Sequence, residues 1–444
     1  MQTPLKPEPK VEPVPEPIYR PSDVRPQHDD LRARELGIGR YESQRLLLYT
    51  DIDPEIAQTL PPLVDALYAN WVSYFGPLPP DREGTEYQIT AYLISEADRF
   101  RAAKMLPEQL PQFEHGRHLG RELWLFDQKF DYYREHLLLH EATHCFMTTM
   151  PGPLPPLWYM EGMAEYFALH QRDAEGRWDF GGFPRDTLDL EGFGGVELIK
   201  RTLRTEPPLT VSAVTTLSMN DFAVSKTLPY AWSWLLCHYL NEHPRYRDRM
   251  HALGQHLGSQ SFYELQTTLF RPDLPLLETE WALYLQSLDY DYDVRPMAID
   301  FRPAEPISAT SPVTVSVPSN GGWQCSGVTL TAGDRVEVRC RGRVVMAQQP
   351  RPWESEGQGI TIRYINGKPL GRLLGAILPT VDNTGVPTGP SPQTIEVLDL
   401  GASSTITAVT AGTLYLRVND AWSELDDNSG AYEVQLSTTS EEVP

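Results

Sequence analysis

Apolar residues keep two different rhythms along this chain, and the change between them falls near residue 300. In the first part, QRLLLYTDI reads as a strand, and residues 54–75 place apolar side chains at helical spacing. YQITAYLI then alternates like a half-buried strand, EADRFRAAKML returns to the helical period, and RELWLFD reads as another strand. A long helical run from about Asp131 to Met150 follows and is stopped by PGPLPP. Further helices are expected at about 158–171, 194–204, 228–242, 245–256, 260–269 and 276–288. Beyond residue 300 the helical period disappears. Short β-type runs take over, VTVSV, GVTLT, DRVEVRC, GITIRYI, STITAVT, GTLYLRV and AYEVQL, parted by Gly, Asp, Asn and Pro. Such spacing predicts a sandwich of about eight strands.

A chain of 444 residues is longer than one hydrophobic core usually serves. The expected divisions are a Pro-rich disordered linker over 1–28, an N-terminal α+β part over 29–125 and a helical core over 126–295. A second linker over 296–311, within and after DVRPMAIDFRPAEP, leads to an all-β unit over 312–440. The fold class is therefore α+β. The net charge of −22 argues against nucleic acid or an anionic membrane surface as partner, since both need clustered Lys and Arg. No run of 18 apolar residues occurs, so no transmembrane segment is expected. MQTPLKPEPKVEPVPEPIYRP lacks the apolar core of a signal peptide, and an extended linker in that place implies an export signal or anchor upstream of it. The expected location is extracellular or periplasmic. Cys145 and Cys237 lie in helical stretches and read as buried thiols. Cys325 and Cys340 either pair, which would mean an oxidising compartment, or sit as two buried thiols on neighbouring strands.

The candidate chemistry sits in LLLHEATHC. Residues i and i+4 of a helix share a face, about 5–6 Å apart at Cβ, so His140 and His144 can grip one ion. Glu141 lies about a third of a turn away, placed to face a molecule beside the ion. Hydrolytic zinc takes three protein ligands and keeps a fourth position for water, so a third ligand is required. After the PGPLPP break, LWYMEGMAEYF supplies Glu161 and, one turn on, Glu165. Both could also be solvated carboxylates. However, Trp158, Tyr159, Met160, Met163, Tyr166 and Phe167 make most of this helix apolar, and carboxylates in such a setting need partners. Glu165 is placed to accept the spare N–H of a liganding histidine.

HExxH followed by W-x-x-E-G-x-A-E resembles the gluzincin zinc metallopeptidases, the clan of thermolysin and aminopeptidase N. It looks closest to bacterial peptidase-MA-like proteins. The resemblance covers roughly residues 40–290 and implies a mostly helical peptidase unit with an α/β N-terminal part. It makes His140, His144 and Glu161 ligands of zinc (Zn2+), Glu141 the general base and Glu165 an acid behind the ligands. The spacer is slightly shorter than in aminopeptidase N, so the turn between the helices must be tighter. The clan also uses a Tyr or His from a later helix to stabilise the oxyanion. LPYAWSWLLCHYLNEH offers Tyr230, preferred for its place at a helix start, and His238; Tyr230 at helical spacing from Trp234 and Cys237 is equally what a core residue shows. No G-x-M-x-N exopeptidase motif precedes the zinc helix, so a protein or peptide substrate cut internally is expected.

GTLYLRVNDAWSELDDNSGAYEVQL gathers Asp420, Asp426, Asp427 and Asn428 in one loop between two strand-like runs. Dense oxygen donors suit calcium (Ca2+), and equally a polar hairpin loop. The wider pattern over roughly 312–438 resembles the PA-IL (LecA) type of galactose-binding lectin. That resemblance makes Asp420, Asp427 and Asn428 side-chain calcium ligands and Glu424 a carbonyl ligand. The family's sugar-contacting histidine has no counterpart in RPWESEGQGITIRY, so calcium binding is expected ahead of carbohydrate binding. The resulting reading is a zinc metalloendopeptidase with a calcium-binding, lectin-like β-sandwich. Its rivals are a non-catalytic carbohydrate-binding or adhesion protein with an inactive peptidase-like half, and a zinc hydrolase acting on a non-peptide bond.

Overall fold

The computed structural model describes residues 25–79, 85–187, 193–225, 227–259, 261–308, 310–349, 351–381 and 387–438. The chain is mixed α+β, as its periodicities predict, and it folds as two compact units. Among the described residues no helix is long and apolar enough to cross a membrane. Most of the first expected linker lies outside the described residues. Its last residues are tied down: Arg25 donates to Gln88 Oε1 at 3.0 Å, and His28 Nε2 lies 2.7 Å from Tyr92 Oη.

The first unit holds residues up to Pro155 together with His170–Phe180 and Gly254–Phe262. Its sheet contains β1 (Gly39–Glu42), β2 (Leu46–Thr50), β3 (Ile89–Ile94), β4 (Gly116–Leu119) and β5 (Glu122–Phe126), in the order β1-β2-β3-β5-β4. The centre is parallel, β2 to β3 and β3 to β5, and the strands at both edges run antiparallel. β3 is buried at every position, which is why ITAYLI is nearly unbroken in apolar character. Edge strand β4, GRHL, carries no such run and escapes the periodicity reading. Helix α1 (Leu60–Phe75) and helix α2 (Asp131–Thr149) pack together through Trp71 and Phe146, whose rings lie 5.2 Å apart. Trp71 Nε1 donates to Thr143 Oγ1 at 3.1 Å, which satisfies a buried indole.

The second unit contains α3 (Leu157–Ala168), α4 (Leu228–Glu242), α5 (Leu274–Gln286), shorter helices and the β-rich region. α3 ends at Ala168 and not near 171, because His170–Arg172 turns into a short hairpin with Trp178–Phe180. α3 and α4 meet at a glycine. A Cβ on Gly162 would come 2.4 Å from Ser233 O and 2.5 Å from Cys237 Sγ, so only glycine permits this approach.

The β-rich region is a two-sheet sandwich built on eight long strands. They are β6 (Val313–Pro318), β7 (Gln324–Leu330), β8 (Arg335–Arg341), β9 (Gln358–Ile365), β10 (Lys368–Leu378), β11 (Ser403–Thr407), β12 (Gly412–Val418) and β13 (Ser429–Thr438). One sheet runs β9-β10-β12-β7 and the other β11-β8-β13-β6, with short strands added at their margins. Val328, Leu373, Leu414 and Leu416 of the first face Val317, Val336, Val338 and Leu436 of the second in one apolar layer. β10, KPLGRLLGAIL, was not anticipated as a strand, since most of its positions are buried and it does not alternate.

The two cysteines of the sandwich do not pair. All four cysteines are free and buried. Cys325 lies on β7 opposite Tyr415 and Cys340 on β8 opposite Val434, so they belong to different sheets and are not on neighbouring strands either. The second expected linker also begins inside the fold. Val294, Met297 and Ile299 are buried, and the Ile299 N–H donates to Glu280 Oε1 at 2.8 Å.

Candidate metal centre

α2 is buried on almost every side from Arg134 to Met147, so its polar residues must be satisfied inside the protein. Arg134 pairs with Asp127 and Asp131 at the start of the helix. His140 and His144 stand one turn apart with their Nε2 atoms 3.1 Å from each other and their rings at 81°. Two nitrogens each about 2.0–2.1 Å from one tetrahedral zinc ion would stand roughly 3.3 Å apart. The pair therefore fits a shared ion with little adjustment.

Glu141 faces edge strand β4. Along GRHL, Gly116 and His118 are half-buried while Arg117 and Leu119 are exposed, the alternation of a strand with one covered face. A Cβ on Gly116 would lie 2.6 Å from Glu141 Oε1, so the glycine makes room for the carboxylate. His118 Nδ1 lies 3.2 Å from Glu141 Oε2, and the His118 ring stacks on His144 at 4.7 Å. Neither Gly116 nor His118 was singled out from the sequence, because no motif marks them.

On α3, Glu161 and Glu165 are half-buried while Trp158, Tyr159, Met160, Met163 and Phe167 are buried. His140, His144 and Glu161 form a group whose ligand atoms lie within 4.8 Å of one another, and so do His136, His140 and Glu165. His136 was missed in the sequence, though three histidines at 136, 140 and 144 repeat at one-turn spacing. Of the two candidate oxyanion donors on α4, Tyr230 is half-buried and meets Phe222 edge-on at 5.0 Å. His238 is enclosed by Phe183 at 4.9 Å, Trp234 and Tyr166, and its Nδ1 has no hydrogen-bond partner. Burial pushes its pKa down to about 3. That is a neutral core histidine.

The acidic loop of the sandwich divides its residues. Asp420 and Asn428 are buried, Glu424 is half-buried and paired with Arg363, and Asp427 is exposed. Asp420 accepts from Ala421 N at 2.7 Å and from Asn428 Nδ2 at 2.9 Å, and burial pushes its carboxyl up to about 6. Asn428 Nδ2 also donates to Ser319 O at 3.2 Å, while the buried Asn428 Oδ1 has no partner. An orphaned carbonyl oxygen beside a buried carboxylate is a donor set that fits a hard cation. Asp420, Glu424 and Asp427 are not drawn into one tight group among the described residues.

No protein-family model matches this chain, and no curated protein does. Solved structures do match. One described as "EclA N-terminal domain; PllA-like lectin" aligns at 18% identity with a TM-score of 0.22, covering 28% of this chain and 95% of that chain.

Proposed function

We propose that the protein is a zinc-dependent metalloendopeptidase whose C-terminal sandwich is a calcium-binding, lectin-like accessory domain. One observation carries the catalytic half of this reading. The Nε2 atoms of His140 and His144 converge to 3.1 Å, while the adjoining Glu141 reaches an edge strand cleared for it by Gly116. His140, His144 and Glu161, one of the two tight groups, would hold the ion, and Glu165, grouped with His140, would orient that imidazole. Zinc, when bound, supplies an electrophile for the scissile carbonyl and lowers the pKa of water to about 7. Glu141 takes the proton of the attacking water and hands it to the leaving amine. Among the described residues strand β4 pairs with β5 and stands at the end of its sheet, an edge to which an extended peptide could add as a further strand. Tyr230 is assigned the oxyanion.

For the sandwich, buried Asp420 with the orphaned Asn428 Oδ1 supports calcium, and carbohydrate is the proposed partner of that domain. The proposed location is extracellular or periplasmic, where calcium is abundant enough to fill even weak sites. The decisive experiment is metal analysis of the purified chain combined with a peptide-library digest. One zinc per chain and cleavage abolished by chelator support the reading. Full zinc occupancy without cleavage, together with binding to a glycan array, replaces it with a non-catalytic carbohydrate-binding protein. Calcium at 100 times its Kd should stabilise the chain by about 2.7 kcal/mol, and Asp420→Ala should remove that gain.

A further inference from the structure

Resting on the zinc-hydrolase reading, we propose that His118 is the positioning residue of the general base, fixing one oxygen of Glu141 and leaving the other for the water. The strand meets the carboxylate at both of its oxygens. Successive side chains of a strand point to opposite faces, so Gly116 and His118 share the covered face of β4. Glu141 Oε1 lies over Gly116, where a Cβ would come within 2.6 Å, and Oε2 lies 3.2 Å from His118 Nδ1. The two contacts divide the work. At Gly116 the missing side chain keeps space around Oε1. At His118 a ring nitrogen can hold Oε2.

An ionised carboxylate only accepts hydrogen bonds, so the contact requires His118 to carry its proton on Nδ1. The ring is not free to swing away, because it stacks on His144 with centroids 4.7 Å apart and planes at 24°. His118 thus links the strand, the base and one of the two paired imidazoles. The side chain of His118 is 27% exposed and that of Glu141 8%. Replacing the histidine therefore removes an orienting group from the solvent side without opening the core. Without it the carboxylate can take rotamers that face away from the water, and misplacement by about 1 Å costs on the order of 10²-fold in rate.

The test uses the full chain and two independent readouts. The first is steady-state kinetics with zinc content measured on every variant. His118→Ala is expected to lower kcat about 10²-fold while KM and bound zinc stay near wild type. His118→Asn is expected to recover most of kcat, because its amide nitrogen occupies the place of Nδ1. His118→Gln, with its amide one carbon further out, is expected not to. An unchanged kcat in His118→Ala at full zinc overturns the proposal. So does equal loss in the Asn and Gln variants, which would mark a merely structural role. The second readout needs no activity. In 15N-histidine-labelled protein, with the His118 signals assigned from the Asn variant, Nδ1 is expected to be protonated and to shift when Glu141 becomes Ala. A His118 protonated on Nε2 alone overturns the proposal even if the protein cleaves nothing. Absence of cleavage with the Nδ1–H signal intact instead counts against the peptidase reading and leaves the hydrogen bond standing.

Discussion

Two of the places where this molecule puts a carboxylate beside an imidazole differ sharply in their surroundings. Glu141 and His118 lie 3.2 Å apart with side chains 8% and 27% exposed. Glu280 and His243 lie 3.6 Å apart with both side chains at 0%. The second pair is closed by its own chain. Tyr246 Oη donates to Glu280 Oε2 at 2.6 Å and Ile299 N donates to Oε1 at 2.8 Å. Burial pushes Glu280 up to about 7, offset in part by nearby Arg245, and pushes His243 down to about 3. The first pair instead joins helix α2 to the edge strand β4, and its histidine side chain is part-exposed. What separates the two acids is access: both oxygens of Glu280 already accept hydrogen bonds inside the protein, whereas the proposed general base Glu141 keeps a small part of its side chain open to solvent.

Substitutions at the two acids should therefore give opposite phenotypes, and any crossover breaks the contrast. Glu141→Gln is expected to lower kcat/KM about 10³-fold, equivalent to about 4 kcal/mol, with zinc content and Tm unchanged. A large fall in Tm would show that Glu141 belongs with the structural group. The next effect belongs to Glu280. Its folded-state pKa is raised, so the folded protein binds a proton that the unfolded chain has already lost above roughly pH 4.3. Stability from this group is thus fully present below that pH, falls as pH rises toward 7, and is flat beyond. The span is on the order of 3 kcal/mol. His243 and His238, both pushed down to about 3, give a slope of the opposite sign below about pH 6.5. The Glu280 contribution is therefore read as the wild-type minus Glu280→Gln difference in denaturant unfolding between pH 4 and 8, which should fall toward pH 7 while kcat stays unchanged. The smallest effect tests the proposed role of Glu141. Gly116→Ala places a methyl group where Glu141 Oε1 lies and should cost about tenfold in kcat/KM, seen at full zinc occupancy. Wild-type kinetics in that variant would mean that the carboxylate can move aside freely.

Much of this was visible in the sequence, and what was hidden has a physical reason. α2 was legible from Asp131 onward because its apolar spacing is regular and its stop is a proline cluster. His140, Glu141 and His144 are legible because a helix turns a spacing into a face. The glycine of W-x-x-E-G was legible as a motif, but its cause, the close crossing with α4 at Ser233, needs the partner helix. β4 was hidden because an edge strand takes its conformation from its neighbour β5 and needs no apolar run, so His118 stayed anonymous among 11 histidines. β10 was hidden for the opposite reason, being buried where alternation was sought. Cys325 and Cys340 misled because nearness along the chain says nothing about which of two facing sheets a strand joins.

Trp422 of the acidic loop has a consequence for how this protein can be handled. It is buried, its Nε1 donates to Ser287 Oγ at 3.0 Å, and its ring lies 5.9 Å from Tyr292 and 3.7 Å under Arg417. Ser287 and Tyr292 precede the sandwich in the chain. A truncation near residue 300 would therefore not release a spare module. It would leave a bare indole socket on one fragment and an unshielded indole on the other, and both fragments should prove sticky and poorly soluble when expressed apart.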